Sequence, residues 1–405
     1  MSQNVCSLLV DSLGLPSFDT MEEFEKLTGL STRLLYCLSK NTKNYYKIKS
    51  IPKKNGSLRE IAIPSYTLRI IQRWILTKIL NKIVPSNRAM AFRIGERYGH
   101  KQNAFYHLHT LYGLSIDIKD FFPSIPSNKV YTVFSNIGYS KFAATILTNL
   151  CTLFDKLPQG SVCSPALSNI ICISLDKRLI GMCEKRGVRY TRYADDMYFS
   201  CDDKGLLIKS FSTIRKIVND EGFFLNDRKT HFHTPSNKKM ITGIVVAKVP
   251  KEDIMKLKAP KELKRKVRAE IYQAIFSGIY SDKQHILGEI SYISFIEKDN
   301  NDPYLSRIKK YISDVAKNVQ YFSELVEAYN GNLLFTDLMN IGQIDASNIS
   351  DDVELQYLFD LYSKRKKYLT MHNLADICAY VKWPKEVFAI CCEDESYAET
   401  EDLPF

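Results

Sequence analysis

The stretch RYTRYADDMYFSCDD, residues 189–203, places two adjacent carboxylates between two runs of strand-forming residues. Residues 188–193 and 197–201 are rich in Val, Tyr, Phe and Thr, which favour β-strands. Two such runs joined by a short polar segment predict a hairpin that carries Asp195 and Asp196 in its tight turn. Aspartate is also common in turns for structural reasons alone, so the stretch by itself leaves the role of the pair open.

The composition indicates a globular protein with a strongly basic body. The 405 residues are 45% hydrophobic and 12% aromatic, which is enough for a large core and for about two to four domains or subdomains. Residues 1–316 hold 49 Lys and Arg against 29 Asp and Glu, whereas residues 317–405 hold 7 against 16. A basic body favours a polyanion as partner, most simply nucleic acid, and a merely soluble basic protein is the alternative.

The cysteine pattern and the apolar runs indicate a cytoplasmic protein. The ten cysteines include no C-x-x-C pair, and the first residues, MSQNVCSLLVDSLGL, lack the basic and long apolar segments of a secretion signal. Because no run approaches the roughly 18 apolar residues of a membrane helix, we expect reduced thiols and no membrane association. His231 and His233 have no Cys or carboxylate at ligand spacing, which predicts a strand surface rather than a zinc site.

The N-terminal region combines helical and strand patterns. Residues 18–39 show helical periodicity with early acidic residues and predict a short helical element. Residues 45–64, YYKIKSIPKKNGSLREIAIP, predict a hairpin with a basic Asn-Gly tip, and residues 68–83 predict a helix. A basic tip is commonly only a solvated edge, but Lys53 and Arg59 could equally close over phosphates.

The central region predicts antiparallel hairpins alternating with helices. Residues 114–125, LSIDIKDFFPSI, predict a buried strand that ends at Asp117, and residues 157–179 run from a Pro-Gly loop into a helix. This order favours an α+β fold over a doubly wound parallel sheet. If Asp117 meets Asp195 in space, the two form an oxygen-only pocket suited to two magnesium ions, an arrangement that supports nucleotidyl transfer.

A basic helical bundle is predicted over residues 250–316. Residues 260–276, PKELKRKVRAEIYQAIF, predict a helix with an apolar stripe, and Asp302 followed by Pro303 predicts the start of another helix. The apolar stripe consists of Leu263, Val267, Ile271 and Ile275, and the basic residues Lys261, Lys264, Arg265 and Arg268 lie mostly on the other side.

Four motifs together resemble the palm of reverse transcriptases. SIDIKDFFPSI, LPQGSVCSPALSN, YADD and GFFLNDRKT occur in the order and at the spacing of that family, and the resemblance covers roughly residues 45–316. Two further elements resemble the bacterial retron branch. NAFYH at 103–107 is similar to its N-A-x-x-H element, and ITG at 241–243 is similar to its V-T-G element, with isoleucine in place of valine.

The resemblance implies a right-hand polymerase architecture within the α+β class. Its expected parts are an N-terminal helical element (1–44), fingers (45–113), a palm with a fingers helix insertion (114–249), a helical thumb (250–316) and an acidic C-terminal extension (317–405). It also implies that Asp117, Asp195 and Asp196 are the catalytic aspartates. With the backbone of Ile118, they would form the site for two Mg²⁺ ions.

Several residues match positions that contact the incoming dNTP in this family. Lys53 and Arg59 would embrace the triphosphate. Lys229 would lie near the leaving pyrophosphate, with a solvated strand residue as the alternative. Gln159 and Gly160 would lie against the nucleotide, where glycine permits close backbone approach.

Phe122 matches the aromatic residue that crowds the 2′ carbon of the sugar. A bulky ring at this position would exclude ribonucleotides by steric clash. Core packing explains one of Phe121 and Phe122 equally well, so the pair is expected to divide between the core and the site.

The retron resemblance implies an RNA-binding surface. Its candidate residues are Asn103, His107, Thr242, Gly243, Lys261, Lys264, Arg265 and Arg268. Asn103 and His107 would share one helix face, for which a core or capping pair is the ordinary alternative. The ITG strand would lie near the primer end, and the basic helix would contact RNA through its shape and phosphate charge.

The implied function is RNA-directed synthesis of DNA. A retron enzyme copies part of a cognate structured non-coding RNA into single-stranded DNA that stays linked to RNA, is primed from a 2′-hydroxyl and commonly acts in defence against bacteriophage with an effector. One alternative is another bacterial class of reverse transcriptase, although no maturase or endonuclease signature follows the palm. Another is a scaffold of protein, RNA and DNA that restrains a toxic effector.

Residues 317–405 lie beyond the resemblance. Their apolar positions at helical spacing predict a folded segment. An acidic face would be repelled by RNA, which favours contact with a protein effector, and a packing cap on the thumb is the alternative.

Overall fold

The computed structural model describes residues 10, 12–52, 56, 58–237, 239–249, 254–277, 283–297 and 308. The chain divides into two compact units, one up to Lys256 and the other from Leu257. Lys53, the helix expected at Asp302 and the acidic segment 317–405 lie outside the described residues. No helix in the described ranges is both long and apolar enough to cross a membrane.

Helices and strands alternate along the described chain. The helices are α1 (Met21–Thr28), α2 (Thr32–Lys40), α3 (Tyr66–Lys78), α4 (His100–Tyr106), α5 (Ser127–Ile137), α6 (Lys141–Cys151), α7 (Ser164–Ile171), α8 (Ile173–Glu184), α9 (Lys204–Asp220), α10 (Lys261–Ser277) and α11 (Lys283–Glu297). The strands are β1 (Tyr46–Pro52), β2 (Leu58–Pro64), β3 (Tyr112–Asp117), β4 (Arg189–Tyr193), β5 (Asp196–Cys201), β6 (His231–His233), β7 (Lys239–Ile241), β8 (Ile244–Val249) and β9 (Ile254–Lys258). His231 and His233 therefore lie on a strand, as predicted.

The central sheet is antiparallel, with the strand order β4-β5-β3-β6. In the β4–β5 hairpin Tyr193 pairs with Asp196, so Ala194 and Asp195 form a two-residue loop. Such loops favour positive φ, and Ala194 has a φ of +58°. The hairpin predicted from residues 189–203 is confirmed, but only Asp195 of the two aspartates lies in its turn, since Asp196 begins β5. Its register with β3 places Asp117 opposite Asp196.

Two smaller sheets are formed by strands that precede and follow those of the central sheet along the chain. β1 and β2 form the predicted antiparallel hairpin, and β7, β8 and β9 form a three-stranded sheet. Thr242 and Gly243 link β7 to β8. The backbone N–H of Ala62 in β2 donates to the carbonyl oxygen of Gln159 at 2.8 Å, so the hairpin is attached to the loop that precedes α7.

Helices pack around the central sheet, which gives the expected α+β arrangement. α4 and α8 contact β4, and α9 contacts β3 and β5. Two aspartates of the stretch at 189–203 have structural roles. Asp203 accepts the backbone N–H of Leu206 at 3.1 Å and caps α9, while Asp202 accepts the N–H of Leu111 at 2.9 Å. The fully buried side chains of this core include Leu114, Leu175, Leu179, Phe199, Ile214 and Val218.

The helical element predicted over residues 18–39 is two helices. Thr20 accepts the backbone N–H of Glu23 at 3.2 Å and caps α1. Gly29 ends α1 with a φ of +71°, a left-handed conformation that glycine adopts without steric cost.

Candidate active site

Three aspartates from two distant segments meet at one end of the central sheet. Asp117 is the last residue of β3 and lies opposite Asp196, the first residue of β5. Asp195 lies in the loop before β5, and its carbonyl oxygen accepts the backbone N–H of Ile118 at 3.0 Å. Because opposed residues of neighbouring strands lie about 5 Å apart, the structure brings the three carboxylates into one site.

The carboxylates oppose one another's ionisation. Burial raises the pKa of Asp196 to about 6, and the negative charges of Asp195 and Asp117 act in the same direction. Burial and the charge of Asp117 also raise the pKa of Asp195, against the opposite effects of Lys229 and Arg59. The residue Asp196 nevertheless keeps exposed surface. Oxygen-only donors with excess negative charge fit a hard divalent cation.

Two side chains orient the carboxylate of Asp117, which is buried at 5% exposure. Lys229 Nζ donates to Oδ1 at 2.7 Å, and Asn226 Nδ2 donates to Oδ2 at 3.2 Å. The backbone N–H of Asn226 also donates to the carbonyl oxygen of Asp117 at 2.8 Å. The hydrogen bond to Asp117 raises the pKa of Lys229. Asn226 was not predicted as a site residue, although it lies within the GFFLNDRKT motif.

A buried ion pair lies beneath the loop that carries Asp195. The guanidinium of Arg192 donates to both carboxylate oxygens of Asp176, at 2.9 and 2.7 Å, and neither side chain has exposed surface. Arg192 Nη1 also donates to the carbonyl oxygen of Ala194 at 3.3 Å and to Oδ1 of Asn169 at 3.1 Å. The phenol of Tyr190 donates to Asp176 at 2.8 Å. This pair was not predicted from the sequence. Strand β4, RYTRY, carries two arginines, and its sequence alone does not show that Arg192 rather than Arg189 is the fully buried one.

The same arginine joins the β4–β5 hairpin to residues 88–91. Its backbone N–H donates to the carbonyl oxygen of Arg88 at 2.8 Å, and its own carbonyl oxygen accepts the N–H of Met90 at 2.7 Å. Asn169 Nδ2 donates to the carbonyl oxygen of Ala91 at 2.9 Å. These bonds fix the position of the loop that carries Asp195, since α7, α8 and residues 88–91 all contact it through Arg192.

The neighbouring residues Phe121 and Phe122 have different environments. Phe121 is 4% exposed and packs against Phe223, with ring centroids 5.9 Å apart. Phe122 is half-buried, with its ring 6.2 Å from that of Phe92, which is 50% exposed. Phe121 is therefore the core residue of the pair, and Phe122 remains the candidate for contact with the sugar.

The structure describes three of the residues that were matched to the triphosphate and the nucleotide, namely Arg59, Gln159 and Gly160. Arg59 lies exposed on β2, and its positive charge acts on Asp195. Gly160 has a φ of +122°, and a Cβ atom there would collide with the carbonyl oxygen of Ala62. The need for glycine at this position is thus explained by the close approach of β2, and contact between Gln159 and a nucleotide stays a prediction.

The structure corrects the expectation that Asn103 and His107 face RNA. His107 has no exposed surface and Asn103 is 2% exposed. The ring of His107 lies 2.8 Å from Thr191 Oγ1 and 2.6 Å from Ser200 Oγ. Because their polar atoms bind other protein groups, the core pair that the sequence left as an alternative is the one observed.

The four basic residues of α10 that were predicted to contact RNA differ in their exposure. Val267 and Ile271 are buried in the predicted apolar stripe, and Lys261 and Arg265 are exposed. Lys264 instead donates to the buried carboxylate of Glu297 at 2.8 Å. This ion pair between α10 and α11 corrects the expectation of an RNA contact for Lys264. Arg268, the fourth basic residue, is half-buried.

Comparison with known proteins agrees with the geometry of this site. The family model for reverse transcriptase (RNA-dependent DNA polymerase) matches residues 51–274. The Retron Ec86 reverse transcriptase of Escherichia coli is 32% identical over 309 residues, which cover 76% of this chain and 94% of that protein. The Retron Mx65 reverse transcriptase of Myxococcus xanthus is 28% identical over 336 residues, covering 76% and 77%.

Two solved structures match this chain at low TM-scores. The telomerase of Candida albicans, in complex with a fragment of telomeric RNA, has a TM-score of 0.40 at 13% identity and covers 93% of this chain and 68% of its own. A foamy viral protease-reverse transcriptase in complex with double-stranded DNA has a TM-score of 0.34 at 17% identity, covering 69% and 45%.

The match to the Escherichia coli enzyme extends over nearly all of that protein, and the family model includes each of the three aspartates that β3 and β5 bring together. RNA-directed DNA polymerases of this family use divalent metal ions, which the carboxylate site fits. The chain therefore belongs to the bacterial retron reverse transcriptases and has their α+β right-hand polymerase fold.

Proposed function

We propose that this enzyme copies part of a cognate structured non-coding RNA into single-stranded DNA that remains linked to RNA, starting from a 2′-hydroxyl of that RNA. The observation that carries the proposal is the 32% identity to a retron reverse transcriptase across 94% of its length. The joint presence of the N-A-x-x-H and T-G elements supports it, because Asn103 of the first element accepts a hydrogen bond from Thr191 in the β4–β5 hairpin and donates one to Thr242 of the second.

The proposed metal site consists of the carboxylates of Asp117, Asp195 and Asp196 with the backbone of Ile118. Two Mg²⁺ ions at this site would supply activation of the attacking hydroxyl and stabilisation of the leaving pyrophosphate. The raised pKa values of Asp195 and Asp196 support a site that needs cations to carry its full negative charge.

The dNTP site is proposed around this centre. Arg59 binds the triphosphate through its guanidinium, together with Lys53 and the backbone near Gln159. Phe122 crowds the 2′ position of the sugar. The partly exposed ammonium of Lys229, now hydrogen-bonded to Asp117, lies where it can also meet a phosphate.

Two separate surfaces, the Thr242–Gly243 turn and the exposed face of α10, are each proposed to contact nucleic acid. Gly243 is exposed at the tip of the turn. Lys261 and Arg265 are the exposed cations of the α10 candidates and would contact RNA phosphates. Such contacts give affinity through charge and recognise a folded RNA through its shape.

The test uses the protein purified with the structured RNA encoded beside its gene. With dNTPs and Mg²⁺, wild-type protein is expected to produce DNA whose 5′ end stays attached to RNA. The attachment should survive denaturation in the absence of alkali, because only alkali would cleave the RNA. An enzyme specific for 2′-5′ branches should release it. DNA without an RNA attachment would contradict the 2′-hydroxyl priming and would favour another bacterial class of reverse transcriptase.

The biological part of the proposal is cytoplasmic defence against bacteriophage together with a protein effector. The six cysteines identified in the described residues are free, which agrees with a reducing compartment. Phage challenge of cells that carry the complete locus, with wild-type protein or Asp195→Asn, separates two roles. Loss of protection in the variant supports a need for DNA synthesis. Full protection would favour a scaffold that restrains an effector without making DNA.

A further inference from the structure

A chain of hydrogen bonds runs from the β4–β5 hairpin into α4. His107 lies between the two strands, with Nδ1 2.6 Å from Ser200 Oγ and Nε2 2.8 Å from Thr191 Oγ1. Thr191 Oγ1 in turn donates to Oδ1 of Asn103 at 2.5 Å. All four residues are buried, so water does not compete for these bonds.

The donors and acceptors along this chain can be assigned. Thr191 has a single hydroxyl proton, which it donates to Asn103, so its oxygen accepts the Nε2–H of His107. Nδ1 of His107 then accepts the hydroxyl proton of Ser200. Burial, followed by the positive charge of Lys239, lowers the pKa of His107 well below its usual range. The ring is therefore neutral, as the assignment requires.

The other end of this chain of hydrogen bonds reaches the turn between β7 and β8. Asn103 Nδ2 donates to Thr242 Oγ1 at 3.4 Å, and Thr242 Oγ1 donates to the carbonyl oxygen of His100 at 3.3 Å. Thr242 has a φ of +46° and Gly243 a φ of +82°. Hairpin turns of this kind usually carry Asn, Asp or Gly, and a left-handed φ is costly for a β-branched residue. Thr242 therefore keeps a conformation that its surroundings impose.

Lys239 attaches the same hairpin to the segment that follows α4. Its Nζ donates to the carbonyl oxygens of His107 at 2.7 Å and Thr110 at 2.9 Å, and to Thr110 Oγ1 at 3.0 Å. Lys239 is 5% exposed, and burial lowers its pKa to about 8. The β7–β8 hairpin is thus fixed at its turn to α4 and at the start of β7 to the segment that follows α4.

We propose that Asn103 and His107 are positioning residues that hold the Thr242–Gly243 turn in register with the β4–β5 hairpin, so that the turn sets the end of the growing DNA strand against the catalytic aspartates. The inference rests on the proposed function in one respect, the contact between the turn and the growing strand. It gives the N-A-x-x-H and T-G elements one shared role, in which the buried element acts on nucleic acid through the exposed one.

The test is a double-mutant cycle between Asn103→Ala and Thr242→Val. Single-nucleotide addition to a DNA primer annealed to an RNA template is measured, because this reaction needs no cognate RNA. Each single change is expected to lower kcat about tenfold at unchanged KM for dNTP, because each breaks the Asn103–Thr242 hydrogen bond that holds the turn. The double variant should fall no further than Asn103→Ala alone. Thr242→Ser, which keeps the hydroxyl, should recover kcat relative to Thr242→Val.

If the fold-loss in kcat of the double variant equals the product of the two single fold-losses, the two residues act independently and the proposal is overturned. Hydrogen exchange adds a readout that does not depend on function. The backbone N–H of Ile244, which pairs with Ile241 across the turn, should exchange faster in Asn103→Ala than in wild-type protein. Faster exchange with unchanged kcat would also overturn the proposal, because the turn would then move without affecting the growing strand. Formation of RNA-linked DNA by the wild-type protein remains the separate test of the proposed function.

Discussion

Phe121 and Phe122 show how far single residues can be interpreted from the sequence. The motif identified both as candidates, and the sequence allowed one of them to be a core residue. The structure assigns Phe121 to the core because it packs on Phe223, at the other end of the palm sequence. That choice depends on a contact between segments about a hundred positions apart, which no local pattern contains.

Phe122→Ala is expected to admit ribonucleotides, because the proposed discrimination against the 2′-hydroxyl is steric and a methyl group leaves room for it. The measurement is the ratio of dNTP to rNTP incorporation on one primer. Phe121→Leu is the matched control, since it changes the adjacent core ring and should cost stability without changing the ratio. An unchanged ratio in an active Phe122→Ala enzyme would contradict the assignment.

Asp196 predicts a pH dependence of stability when divalent cations are removed. Its pKa of about 6 lies above the ordinary value of 3.8, so the folded protein binds this proton more tightly than the unfolded chain does. The stabilising effect of the proton is complete at the acid end of this range and is lost as the pH rises through about 6. Asp196→Asn does not titrate, so its melting temperature in EDTA should exceed that of wild-type protein increasingly as the pH rises from about 4 to 7. A difference independent of pH would contradict this account.

Among the secondary-structure elements, the hairpins could be predicted from the sequence. The contacts that join hairpins to helices could not. Alternating strand-forming residues around Asp195 and around the Asn-Gly tip at 55–56 predicted two hairpins, and both form. The burial of Asn103 could not be predicted in the same way. Its partner Thr242 is 139 positions away, and helical spacing alone does not show which side of α4 is covered.

Arg192 and Asp176 predict a strong asymmetry between single and double substitutions. Asp176→Asn leaves the guanidinium of Arg192 buried without its counter-charge, and we expect it to lower the free energy of unfolding by about 3–5 kcal/mol. Replacing both residues, Arg192→Met with Asp176→Leu, removes both buried charges and should cost less than the single change. Urea denaturation of the variants measures this. A double variant less stable than Asp176→Asn would show that the pair acts through more than mutual neutralisation.

At the scale of the whole molecule, the charge distribution separates a basic polymerase from an acidic segment. Residues 1–316 account for the positive charge, and the negative residues 317–405 follow the region matched by the family model. Composition predicted the polyanionic partner, and the motifs predicted the class of enzyme. The function of the acidic segment does not follow from either, because it contains none of the motifs and its charge is shared by many protein-binding surfaces.

Deletion from about residue 325 onward is expected to preserve DNA synthesis and to abolish phage protection or copurification of an effector. The reason is that an acidic segment is repelled by RNA and is suited to a protein partner. Primer extension and phage challenge with the same truncated protein measure the two effects. A truncated protein that is active and fully protective would contradict the partner interpretation.

The assignment of the aspartates as catalytic metal ligands is tested most directly by the rate of primer extension by Asp195→Asn. RNA binding is measured on the same preparation. The change removes a cation-binding charge from a loop and leaves the buried network beneath it in place, so DNA synthesis should be abolished while RNA affinity and melting temperature stay close to those of wild-type protein. Asp117→Asn should behave in the same way. Extension at even about a tenth of the wild-type rate would contradict the assignment of these aspartates as the catalytic metal ligands.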